Sequence, residues 1–281
     1  MRRNVLLLFV FAVLAFAGFS CKDKKTGKQD TLSLLNGSLK LTTYLFDDPT
    51  KQSLDIDVSI EYPLSYSDPA ILMKVRKLVL LDFYPEADSV YDNPVDAIEA
   101  YVDDYKKFFK ESEGDLTEDA MINESDESNS VSPWNNTEKM IIRHNANGLF
   151  SYTIFSDRYT GGAHGGKNFL NTVVDMKTGE KITEDDLFSE TTKPLIVNMI
   201  ISKIMKMQKV AKASELQDIG FFDAAEIGLN KNFYLNEKGL TYTYNEYEIA
   251  AYAVGTTEVL LTFNEIADFL KTGCPIDGMI Q

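Results

Sequence analysis

Residues 139–160 read KMIIRHNANGLFSYTIFSDRYT, two runs rich in apolar and β-branched side chains separated by Asn145, Asn147 and Gly148. Asn and Gly tolerate the positive φ angles that a tight hairpin turn demands, so the stretch predicts two antiparallel strands joined at those residues. Upstream, SLKLTTYLF (38–46) and SLDIDVSIEYP (53–63) carry the same strand signature. In the second, Leu54, Ile56, Val58 and Ile60 fall on one face and Asp55, Asp57 and Ser59 on the other, the period of two of a half-buried strand. These two runs are predicted to pair. Helical spacing then takes over. Asp68 and Pro69 open a helix with Ile71, Leu72, Val75, Leu78 and Val79 on a common side, and Asn93 with Pro94 opens a second through Ile98, Tyr101, Val102, Tyr105, Phe108 and Phe109. The segment 111–128 carries eight acids and no base, a composition that predicts a solvated acidic loop over 111–130.

Downstream of the hairpin, NFLNTVVDMKTGEKIT predicts two strand runs about a KTGE turn, followed by a capping-box start at Thr183 with Asp186 three residues on. A helix is expected from about Lys193 to Lys212, with Leu195, Ile196, Met199, Ile200, Ile204 and Met207 forming an apolar stripe that fills a core. The chain closes with a hairpin about Asn236 to Gly239, a strand near Thr257 to Phe263 and a helix capped by Asn264. Strands and helices come in runs without a strict strand-helix-strand repeat, so the expected class is α+β: two small subdomains, antiparallel sheets with packed helices. The divisions expected are 37–158 for an N-terminal α+β domain and 159–281 for a C-terminal one.

Residues 1–20 place Arg2 and Arg3 before an uncharged apolar run from Val5 to Phe19, the pattern of a secretory signal. Gly18 and Ser20 precede Cys21, which reads as a bacterial lipobox with Cys21 as the lipidated first mature residue and 21–36 as a tether. Localisation at the bacterial cell envelope, on its periplasmic or surface side, follows as an expectation, with the membrane reached through the lipid alone. Removing residues 1–20 takes the formal charge from −15 to −17, because two arginines leave and no acid does. Phosphate backbones would be repelled, so no nucleic acid is expected as partner. With Cys21 acylated, only Cys274 remains, which excludes an internal disulfide and a cysteine-rich zinc site.

The eight residues YTGGAHGG (159–166) hold four of the sixteen glycines and one of the two histidines. A phosphate cradle would need a Walker lysine or GxGxxG spacing ahead of a helix; both are missing, and the next segment reads as a strand. His164 as a general base or metal ligand would need partners such as His144 and an aspartate, Asp157 or Asp175, yet no HExxH, paired-histidine or nucleophile motif is present. The third reading is a turn: adjacent glycines permit positive φ and close backbone passage, while a histidine pins the crossing through its two ring nitrogens. Such a turn exposes backbone groups to a partner, so Tyr159, Thr160, Gly161, Gly162 and His164 are the expected binding residues. No catalytic residue, metal or cofactor is expected.

YTGGAHGG followed by NFLNTVVDMKTGEKITEDDLF resembles the YTGGAHP segment, strand, TG turn and short helix of the RsiV-like domain of unknown function. The closing run from Asn232 to Leu270, with its YEIAAYAVG segment, is similar to the same domain's ending. The resemblance covers about residues 160–271; Gly165 stands where the family usually has proline. LDIDVSIEYP and its two helices resemble a partner domain shared with some peptidoglycan deacetylases. The resemblance implies a binding role without chemistry, because one such domain belongs to a membrane-spanning anti-sigma factor whose extracellular part binds lysozyme. It therefore implies a lysozyme-like protein or peptidoglycan as partner. The rival expectation is an envelope hydrolase or metal-dependent enzyme using His164.

Overall fold

The computed structural model describes residues 31–120 and 132–280, so the expectations for the signal segment, for lipidated Cys21 and for the acidic loop beyond Ala120 lie outside the described residues. Two sheets carry the fold. The larger has six strands in simple chain order: β1 (Ser33–Tyr44), β2 (Ser53–Ser65), β3 (Trp134–Ala146), β4 (Leu149–Tyr159), β5 (Gly166–Asp175) and β6 (Glu180–Lys181). The smaller is a three-strand meander, β7 (Phe233–Asn236), β8 (Gly239–Tyr244) and β9 (Thr257–Thr262). The class is α+β, as the sequence predicts.

One pairing departs from the antiparallel expectation. β2 and β3 run parallel, with Leu54 opposite Trp134 and Val58 opposite Glu138. Parallel neighbours cannot be joined by a tight turn, and here the crossover is the helical segment read from the sequence. It contains α1 (Pro69–Phe83) and α2 (Pro94–Ala120). Asp68 accepts hydrogen bonds from the Ala70 and Ile71 N–H groups at 2.8 and 3.3 Å, and Asn93 accepts from Val95 and Asp96 at 2.9 and 3.0 Å. Each cap precedes a proline whose missing donor would have no partner in the first turn. α2 runs through Ala120, so the first ten residues of the expected acidic loop are helical. Glu is a good helix former, which is why low hydrophobicity alone misplaced that boundary.

The buried face of β2 is the one its alternation predicts: Leu54, Ile56, Val58 and Ile60 are at most 1 % exposed and pack with Val75, Val79 and Phe83 of α1 and Ile98 and Val102 of α2. β4 is buried on both sides. Phe150, Tyr152 and Ile154 join this first core, while Leu149 and, from β5, Val173 join a second one. The second core is built on the smaller sheet and on α4 (Lys193–Gln208), whose Ile196, Ile200 and Ile204 are fully buried. Leu195 and Met207, expected in the apolar stripe, lie at its edges and are about half exposed. Two short helices complete the second module, α3 (Glu184–Leu187) and α5 (Phe263–Ile266). Thr183 and Asp186 form the expected capping box of α3; α5 is capped by Thr262, not Asn264, with the Thr262 N–H and hydroxyl both donating to Glu265 at 2.8 Å.

The division expected at 158/159 falls between two neighbouring strands of one sheet, since β4 and β5 pair continuously from Leu149 opposite Asp175 to Arg158 opposite Gly166. Beyond β5, the two-residue β6 covers only Val174 and Asp175. The rest of that edge is covered by side chains. Asn171, Phe169 and Lys167 donate their N–H groups to Asn232, Asn245 and Glu246 at 2.8, 2.8 and 3.0 Å, and the Asn232 and Asn245 amides donate back to the Phe169 carbonyl at 2.8 and 3.1 Å. Two carboxamides thus take the place of a seventh strand. Asn232→Ala removes one of them and strands the Asn171 N–H; the expected loss is about 1–3 kcal/mol in urea unfolding, whereas an unchanged midpoint would show that the edge needs no such cover.

Candidate functional site

β4 ends at Tyr159, and the glycine-rich stretch turns the chain back into β5. Gly161 and Gly162 sit at φ 96° and 85°, and the Tyr159 hydroxyl donates to the Gly162 carbonyl at 3.0 Å. Gly165 is required for a different reason. A Cβ there would lie 2.8 Å from the Arg158 carbonyl oxygen, so the constraint is close backbone passage and not a left-handed φ. The proline usual at this place in the resembling family would demand that this carbonyl move.

His164 is exposed, with both ring nitrogens engaged. Nδ1 lies 2.8 Å from the Gly165 carbonyl, an obligate acceptor, so Nδ1 donates there; Nε2 lies 3.3 Å from the Tyr247 hydroxyl, which can donate to it or accept from it. The imidazole stacks on Tyr252 with centroids 3.8 Å apart and planes 19° apart, and Tyr247 stacks on Tyr252 at 5.7 Å. Ile249 and Ala250, both buried, anchor the segment between the two tyrosines, while Tyr247 itself is 57 % exposed. Two segments more than eighty positions apart therefore meet as one ledge of stacked rings. Thr160, Gly161 and Gly162 lie on its exposed rim.

Beside the ledge lies a cavity of about 390 Å³, lined among others by Arg158, Lys167, Asn168, Glu246 and Tyr247. Its floor is tied to a buried acid. Glu138, 2 % exposed on β3, accepts from Arg158 Nη2 at 2.7 Å and from the Ser156 hydroxyl at 2.8 Å, and Tyr101 of α2 lies 3.4 Å away. Burial pushes the Glu138 carboxyl above its ordinary range, an effect that the Arg158 charge and the Ser156 and Arg158 hydrogen bonds offset in part.

The rival constellation does not assemble. His144 is buried at the other end of the hairpin, opposite Ser151, with Nε2 3.0 Å from the Ala146 carbonyl. From Ser151 to Tyr159 the strand spans roughly 25 Å, so the two histidines do not share a site. Asp175 stands at the far end of β5, where it accepts from the Lys177 N–H at 2.8 Å, and Asp157 alternates to the face of β4 opposite Arg158. Among the described residues, no three His, Cys, Asp or Glu side chains group as a metal site. Sequence reasoning missed Glu138, Arg158, Tyr247 and Tyr252. A signal for Glu138 was present: it alternates in register with Trp134, Asn136 and Met140, whose side chains are buried on β3.

Comparison with known proteins matches both modules to families. Residues 185–264 match the model of a protein family of unknown function, DUF3298, and residues 50–167 match the model described as deacetylase PdaC. The fold is shared with a solved member of the DUF3298 family from Bacteroides fragilis, at 22 % identity and a TM-score of 0.79 over 90 % of this chain and 99 % of that one. A DUF3298 family protein from Pseudomonas aeruginosa is similar at 15 % identity and a TM-score of 0.56, over 85 % and 95 % of the two chains. No protein with a curated description matches. The pairing of a domain of unknown function with a deacetylase-associated domain before it is the pairing that the sequence motifs implied.

The Glu138 and Arg158 pair makes a measurable prediction. Because the folded carboxyl titrates above its ordinary value of 4.5, the native chain binds this proton more tightly than the unfolded chain. Its contribution to stability is full below the ordinary value and is lost as pH rises through the raised one. Glu138→Gln removes that slope, so its urea midpoint declines less than that of the wild type as pH is raised from 4.5; parallel declines would contradict the assignment. At neutral pH, Arg158→Met leaves the acid buried and unpaired and is expected to cost about 2 kcal/mol, less than for a fully buried pair because Arg158 is half exposed.

Proposed function

We propose that this chain is a non-catalytic binding protein of the bacterial cell envelope, tethered through a lipid on Cys21, whose partner docks on the ledge of His164, Tyr247 and Tyr252. The observation that carries this reading is the convergence of the YTGGAHGG and YEIAAYAVG segments into stacked rings beside a cavity, with His164 and Tyr247 exposed on the half-buried Tyr252. Flat amphipathic rings present a large contact area with little rotamer freedom to lose, which favours recognition. Chemistry is disfavoured by the same geometry: both nitrogens of His164 have partners, and the nearby Glu246 carboxylate already accepts from the Lys167 N–H.

Two kinds of partner follow from the RsiV-like resemblance and the charge: a lysozyme-like protein or a cell-wall ligand. A basic protein would be drawn by the formal charge of −17 left after removal of residues 1–20, a steering effect that salt weakens. The rim formed by Tyr159, Thr160, Gly161 and Gly162 would then frame the contact. Calorimetric titration of the purified protein with lysozymes and with peptidoglycan fragments tests the reading. Binding by either class, reduced at least tenfold in Tyr247→Ala with no change in melting temperature, is the expected result. Absence of heat with both classes at low salt, or full binding by Tyr247→Ala, contradicts it.

A further inference from the structure

We infer that β1 is the contact through which two copies of this chain pair, strand against antiparallel strand across a two-fold axis; the ledge takes no part. β1 and the outer flank of β5 are the two long margins of the larger sheet, and they are finished in opposite ways. The β5 margin is closed by β6 and by the side chains of Asn232, Asn245 and Glu246. β1 bonds to β2 on one side, and among the described residues its outward N–H and carbonyl groups from Ser33 to Tyr44 have no partner. Twelve residues long, the strand lacks the usual guards of an edge: it has no proline, a single charge at Lys40, and a bulge confined to its start at Ser33 and Leu34. Its apolar side is also cut short. Leu39 and Leu41 stand opposite Val58 and Ile56, which are at most 1 % exposed, yet remain only partly buried themselves. One further strand would complete their cover.

What fits this margin best is another β1. In a chain of formal charge −15 the strand holds no acid, so it is a margin where two copies approach with little repulsion. It is also self-complementary. Directly opposite residues of an antiparallel pair share a face, so a two-fold axis at Leu39 sets Leu39 against its own copy on the apolar side and pairs the strand from Leu34 to Tyr44. In that register Leu41 lies opposite Gly37, where α2 presents Pro94, and Thr43 lies opposite the exposed Leu35. On the polar side Lys40 falls opposite Ser38 and not opposite a second Lys40, and Thr42 falls opposite Asn36. A seam one strand wide is small for a permanent interface, so the pairing is reversible.

Sedimentation velocity over a concentration series measures the monomer–dimer equilibrium of the purified full chain, and hydrogen exchange at low and high concentration locates the contact. A dimer is expected whose formation slows exchange in β1 and not in the ledge. It should tighten as salt is raised, because screening relieves the repulsion between two acidic copies. Ser38 is exposed, so substitutions there should leave the melting temperature unchanged. Ser38→Lys sets like charges opposite each other at two places and is expected to weaken pairing about fivefold or more, whereas Ser38→Glu gives Lys40 of the other copy an acid and is expected to tighten it about threefold. Monomer at every concentration up to about 1 mM, protection confined to segments other than β1, or a dissociation constant that neither substitution moves overturns the inference. The ledge reading stands or falls separately, since Tyr247→Ala bears on lysozyme binding and not on sedimentation.

Discussion

The outer edge of β5 is the constraint on which the rest of the structure depends. Three alternate N–H groups and one carbonyl face away from β4, in a place where a longer strand would normally pair with them. Instead the chain returns through Asn232, Asn245 and Glu246, whose side chains supply the missing donors and acceptors. Asn232 also donates to the Thr243 carbonyl at 2.9 Å, and Asn171 reaches Thr243 through its own amide at 2.8 Å, so the smaller sheet is stitched to the larger one by amides on both sides. Below this seam, the Leu235 N–H donates to the buried Ser151 hydroxyl at 3.0 Å. Polar groups at the centre of a two-sided sheet are costly unless all are satisfied, and here they fix one relative placement of the two modules.

The candidate site inherits its geometry from that seam. Asn245 and Glu246 lie immediately before Tyr247, so the contacts that hold β5 also set Tyr247 above the turn that contains His164. Tyr247 has a φ of 64°, a left-handed conformation that a bulky residue adopts only where its surroundings over-determine it. The ledge is thus a product of two sheets meeting, and neither module builds it alone. The pairing of Glu138 with Arg158 fixes the opposite wall from the helical side, through Tyr101.

Much of the fold was legible because it rests on local rules. The alternation in β2, the caps at Asp68 and Asn93, and the Asn147 and Gly148 turn, with φ 57° and 71°, each state their conformation in a few residues. What escaped was non-local. The parallel seam between β2 and β3 depends on where a crossover lands, and the Asn232 contacts depend on a loop meeting a strand sixty positions away. The site was half legible: His164 and its glycines stand out by composition, whereas Tyr247 and Tyr252 look like ordinary aromatic residues until the stacking is seen. Glu138 and Arg158 are common charged residues whose significance comes only from burial.

The continuous pairing of β4 with β5 bears on how this chain can be divided. The deacetylase-type match ends at residue 167 and the DUF3298 match begins at residue 185, so most of β5 lies between the two family boundaries. A fragment cut at either boundary inherits a raw margin. Ended at Lys167, the N-terminal piece would bare nearly the whole flank of β4 and the apolar side chains of Leu149 and Phe150. Begun at Asp185, the C-terminal piece would lose Val173 and Ile182 from its core and leave Asn232 and Asn245 with no strand to cover. Edges of this kind recruit other chains. In this chain the two boundaries therefore mark matched sequence and not autonomous folding units: the smallest portable version of either module includes its neighbour.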